Sequence, residues 1–127
     1  MIKFNHGVEI GARLAYLGHY RRTQDLNVLK IAQEEYDHRM ELVAILDSYD
    51  ESSSLIIDGM FSVVGNIIYW LCLISPEFML NWVARSMEAF AVFNYGYLAI
   101  RYPEHRFIFT QMAEAEIRHE VYFGSNK

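Results

Sequence analysis

The sequence predicts an all-α protein: a four-helix bundle with an additional apolar crossover helix between bundle helices two and three. Two observations carry this. Only two prolines and seven glycines punctuate 127 residues, and the long stretches between them suit helices better than a many-turned β fold. Apolar residues also recur at helical rather than alternating spacing, as with Val28, Ile31, Ala32, Leu42, Ile45 and Leu46. The length suits one domain, residues 1–127, and a hydrophobic content of 53% is ample for its core.

Breakers divide the chain into elements. A first helix is expected from about Gly7 to Arg22, with Thr23 to Asp25 as a short connection. A second follows from about Leu26 to Tyr49. The polar, serine-rich run from Asp50 to Ser54 is the clearest linker. Ser75-Pro76-Glu77 reads as a helix start, with a serine cap, proline at the first helical position and an acid in the first turn. That third bundle helix should continue to about Arg101. Tyr102-Pro103-Glu104 marks the next break, and a fourth bundle helix is expected to run to about Phe123.

Leu55 to Ile74 is nearly all apolar, interrupted by Asp58, Ser62 and Asn66. Its length just spans a bilayer, but Asp58 and Asn66 make a spanning helix costly. A buried crossover helix, a helix lying in a membrane interface and a true span all remain open. The first is favoured, because a long crossover is what a bundle needs when its second and third helices run parallel. If the segment is exposed instead, its patch predicts a dimer or a membrane contact.

Composition excludes some classes of function. A net charge of −5 argues against a nucleic-acid partner, which calls for a basic face. The single cysteine, Cys72, lies in an apolar run and reads as a small buried hydrophobe. No apolar signal region opens the chain at Met1 to Asn5, so the expected location is cytoplasmic, with peripheral membrane contact through residues 55–74.

The informative pattern occurs twice. Glu9 is followed 26 residues later by Glu35-Tyr36-Asp37-His38, and Glu88 is followed 28 residues later by Glu116-Ile117-Arg118-His119. Residues at i and i+3 share a helix face, so each Glu-x-x-His can turn both side chains toward one metal ion. Each lone glutamate precedes its turn by about as many residues as its partner pair follows it. Antiparallel hairpins rising about 1.5 Å per residue would therefore set the three groups level. Five histidines and 11 glutamates would produce about 0.4 Glu-x-x-His pairs by chance, so one pair is weak and two matched pairs are strong.

Two such hairpins supply Glu9, Glu35, His38, Glu88, Glu116 and His119. This is the ligand set of ferritin-like di-iron and di-manganese carboxylate proteins. Four carboxylates balance two divalent ions. Burying them uncompensated on apolar stripes would cost several kcal/mol each. Carboxylates with imidazoles suit iron or manganese better than copper or structural zinc. The expected cofactors are two iron ions, with manganese as the substitute.

Residues around the ligands resemble one branch of these proteins, the demethoxyubiquinone hydroxylases. His6-Gly7-Val8-Glu9 is similar to the family's His-Ala-Gly-Glu, and Tyr16 stands where the family has a tyrosine seven residues after that glutamate. Glu35-Tyr36-Asp37-His38 matches an acid-rich Glu-x-Asp-His. Asn94-Tyr95 stands where the family has His-Tyr, and Glu116 to His119 matches in ligands only. The likeness covers about residues 2 to 123. It implies a di-iron monooxygenase that uses O2 and an electron donor to hydroxylate a quinone-type aromatic ring. It also implies that the apolar segment sits against membrane and admits the quinone.

On this expectation Glu35 and Glu116 bridge the metals, Glu9 and His38 complete one ion, and Glu88 and His119 the other. Tyr16 and Tyr95, each seven residues after a terminal glutamate, are the candidate catalytic residues, as electron relays or hydrogen-bond donors to a ligand. Core tyrosines are the plainer alternative. A ferritin-like ferroxidase or rubrerythrin-like peroxidase would use the same six ligands. A homo-oligomer is expected. His19 and His105 fall outside the ligand pattern and are placed at the surface or beside the ligands. Arg13, Arg85 and Arg118 are expected to balance charge.

Overall fold

The computed structural model describes residues 1–125. These are all-helical, with five α-helices, one short 3-10 turn and no strand among the described residues. The chain forms two compact units, Met1–Ser75 and a second that begins at Pro76.

In the first unit, α1 (Ile2–Thr23) begins five residues before the expected Gly7. The reason is local. Ile2, Asn5 and His6 are buried, and the Asn5 side-chain amide donates to the Met1 carbonyl at 3.0 Å, closing the first turn. The helix ends where Gln24 enters the left-handed region at φ 59°, its N–H donating to Tyr20 O. The Asp25 carboxylate then caps α2 (Leu26–Ser48) by accepting from the Asn27 N–H at 2.9 Å. Two residues thus turn the chain, and α1 and α2 pack together as a helical hairpin. The buried positions of α2, from Val28 through Ile31, Glu35, His38 and Leu42 to Ile45, form one stripe at helical spacing.

The apolar segment forms α3 (Leu55–Cys72), capped by Ser54, whose hydroxyl accepts from the Ile57 N–H at 3.2 Å. It packs along α1 through glycines. A Cβ on Gly18 would lie 2.6 Å from the Tyr69 backbone, and one on Gly65 would lie 2.9 Å from Gly11 Cα. Any larger side chain there would force the two backbones apart.

The favoured expectation of a buried α3 is not met. Only 11% of the helix is buried, and Leu55, Ile56, Met60, Val63, Ile67 and Trp70 are exposed. The glycine contacts bear on this: Gly7 and Gly11 of α1 receive Ile57 and Phe61, Gly18 meets the Tyr69 backbone, and the other large apolar side chains of α3 stay outside. Among the described residues, α3 is the one helix long and apolar enough to cross a membrane. Cys72 at its end is buried as expected, and burial pushes its thiol pKa above the usual range.

The second unit is a hairpin of α4 (Glu77–Arg101) and α5 (Arg106–Ser125), joined by a 3-10 turn at Pro103–His105. The expected serine cap of α4 is not used. Pro76 occupies the cap position without a side-chain hydrogen bond, and the Ser75 hydroxyl donates back to Leu71 O at 2.7 Å. Glu77 does stand in the first turn. Leu80, Ala84, Glu88, Tyr95 and Leu98 form the buried stripe of α4, and Phe109, Met112, Glu116, His119 and Phe123 form that of α5. Tyr95 stacks on Phe109, with centroids 6.4 Å apart and planes at 19°.

Candidate functional site

Each hairpin gathers one half of the expected ligand set. In the first, Glu9 comes from α1 and the pair Glu35 and His38 from α2. One ligand atom of each lies within 4.8 Å of the others. His38 Nδ1 stands 4.0 Å from a Glu9 carboxylate oxygen and 3.8 Å from one of Glu35. In the second, Glu88 comes from α4 and Glu116 and His119 from α5, again within 4.8 Å of one another. His119 Nδ1 is 3.5 Å from Glu88 and 3.1 Å from Glu116.

The sequence explains why they meet. The i, i+3 spacing puts each Glu and His on one face, and both lie in the same stripe as the apolar residues that hold the hairpin together. The folding of the stripe therefore carries the polar groups inward. All four glutamates are 2% exposed or less. Two carboxylates and an imidazole packed this closely in an apolar hairpin concentrate negative charge where water cannot screen it, which suits a cation.

Tyr16 and Tyr95 are both fully buried, and Asn94 is buried beside Tyr95. His19 is buried too, so a surface position does not hold for it. The Arg13 guanidinium lies over the Tyr36 ring at 5.2 Å from its centroid. A Cβ on Gly124 would meet Arg85 Nε at 3.4 Å, which places the Arg85 side chain against the end of α5.

One polar cluster was not foreseen. His6 is 1% exposed, and its Nδ1 lies 2.9 Å from an Asp58 carboxylate oxygen. The Arg39 Nε–H donates to His6 Nε2 at 3.2 Å. An arginine can only donate, so Nε2 must accept, and the ring proton sits on Nδ1, where it donates to Asp58. The cluster ties α1, α2 and α3 together one turn from Glu9 and next to His38. A lone acid in an apolar helix was the available signal, since Asp58 needed a buried partner. Nothing local pointed to His6 as that partner.

The chain matches no protein-family model, no curated protein and no solved structure.

Proposed function

We propose that this chain is a ferritin-like di-metal carboxylate protein, and that it acts as a di-iron oxidoreductase hydroxylating a quinone-type aromatic ring with O2. The observation that carries the reading is the repeated, buried Glu plus Glu-x-x-His cluster, once in each hairpin. The donors fit the group: four carboxylates match the charge of two divalent cations, and two imidazoles complete a set suited to iron or manganese. Glu9, Glu35 and His38 of the first hairpin and Glu88, Glu116 and His119 of the second would hold the metal. Iron, when bound, supplies the redox chemistry with O2 that the side chains lack.

The remaining residues have supporting parts. The buried stripes of α2 and α5 exclude water from the carboxylates. Asp58, through His6, holds α1 at the turn that carries Glu9. Tyr16 and Tyr95, each buried two turns after a terminal glutamate, are assigned to relaying electrons or hydrogen-bonding a ligand. The exposed apolar face of α3 is assigned to the surface of a membrane, the source of an apolar ring substrate.

Metal analysis comes first. Purified protein loaded with iron should retain two ions per chain, and the double substitution Glu35→Ala with Glu116→Ala should abolish retention. Loaded protein given a reductant and a demethoxyquinone should consume oxygen and yield a hydroxylated ring. Iron oxidation or peroxide loss with no ring product would move the assignment to a ferroxidase or peroxidase. Failure to retain either iron or manganese would remove the metal reading altogether.

A further inference from the structure

Opposite its buried stripe, α4 carries a second apolar stripe that faces solvent. Phe78, Trp82, Phe93 and Ile100 are 73%, 69%, 72% and 74% exposed, and Met79, Phe90 and Tyr97 are exposed beside them. Aromatic side chains cover about 150–250 Å² each when fully buried. At these exposures the stripe leaves roughly 800 Å² uncovered, about what one partner contributes to an interface of standard size.

The stripe is also self-complementary about its midpoint, Ala89, which is itself exposed. Trp82 lies seven residues before Ala89 and Gly96 seven after it, pairing the largest side chain with the smallest. Phe78 and Ile100 lie 11 residues to either side. A Cβ placed on Gly96 would find no atom within 4 Å, so there is open space above it in the protomer. The seven-residue interval keeps the stripe on one face of a helix packed against another helix.

We propose that a second copy of this chain docks antiparallel on this face of α4, with a two-fold axis passing beside Ala89. Trp82 of each copy fills the space over Gly96 of the other, and Phe78 meets Ile100. Because a two-fold interface uses the same patch twice, every one of these contacts occurs twice. Small residues at Ser86, Ala89 and Gly96 let the helices approach closely while the aromatic residues cover the sides. A lipid surface is the other occupant an apolar face can take, but it gains nothing from an indole and an open glycine set at equal distances from one midpoint.

The test uses the full chain in detergent-free buffer, with and without added iron, since the interface does not depend on the metal. Light scattering should give the mass of a dimer. Trp82→Ala and Gly96→Leu should each weaken the dimer by roughly tenfold or more, the effect of removing a central anchor. Gly96→Leu replaces a poor helix former in open space, so its circular dichroism and thermal unfolding should show a folded protein. Ala89→Cys should give a covalent dimer with a short thiol cross-linker. A monomer at all concentrations would overturn the proposal, as would a dimer that tolerates both Trp82→Ala and Gly96→Leu. So would vesicle binding that Trp82→Ala abolishes, which would assign the face to lipid.

Discussion

The two Glu and Glu-x-x-His hairpins carry the same donors on different supports. In the α4–α5 hairpin, His119 stands 3.1 Å and 3.5 Å from its carboxylates. In the α1–α2 hairpin, His38 stands 3.8 Å and 4.0 Å away. The looser cluster has the more elaborate scaffold: a third helix seated on glycines, and the Asp58–His6–Arg39 chain beside Glu9. The tighter one rests on two helices, with Tyr95 stacked on Phe109 between them. Donor placement therefore follows from a spacing rule that a hairpin satisfies by itself, whereas the support around each cluster is particular to its unit.

The most severe way to break this comparison is at the glycine seat. Gly18→Leu would drive a side chain into the Tyr69 backbone, 2.6 Å from where the new Cβ would lie. The expected cost is about 3 kcal/mol, the upper range for overpacking. Hydrogen exchange should show lost protection in α1 and α3 while α4 and α5 amides stay protected. Equal loss in all helices would mean that the supports are not separate.

A smaller effect is expected at the polar link. Asp58→Ala leaves the buried His6 Nδ1–H without its acceptor, at a cost of about 2 kcal/mol. Denaturant unfolding would measure it. Asp58→Ala combined with His6→Phe, which removes both partners, should recover part of the loss. No recovery would show that Asp58 acts through something other than His6.

The smallest effect has the opposite sign. A Cβ on Gly59 would meet nothing within 4 Å, and this exposed glycine lies inside α3. Gly59→Ala should stabilise by about 0.5–1 kcal/mol through helix propensity alone, visible as a slightly higher midpoint of thermal unfolding. A loss of stability would reveal packing over this part of α3.

Much of this architecture is written locally and was legible for that reason. Helix ends at Thr23, Ser48 and Arg101 follow from breakers within a few residues, and both Glu-x-x-His pairs follow from a spacing of three. Ser75 misled because a serine after an apolar helix can bond back to a carbonyl four residues earlier as easily as it can cap the next helix. The start of α1 was missed because its first turn is held by burial of Ile2 and His6, not by a cap motif. The His6–Asp58 contact joins residues 52 apart in sequence, and the Arg39–His6 contact joins residues 33 apart. No periodicity encodes such pairings. The exposure of α3 was equally hidden, since a buried helix and an uncovered one have the same apolar composition.

Asp58 also fixes which way α3 can turn. The glycine seat resists rotation of α3, and the Asp58–His6 bond adds a polar tie at the first turn of the helix. Rotation would strip the carboxylate from the imidazole and leave the buried His6 Nδ1–H without an acceptor, a penalty of about 2 kcal/mol. One side chain in the first turn thus works as a compass needle. It keeps the glycine side against α1 and aims Met60, Val63 and Trp70 outward, so an apolar surface that meets α3 meets the same row of residues.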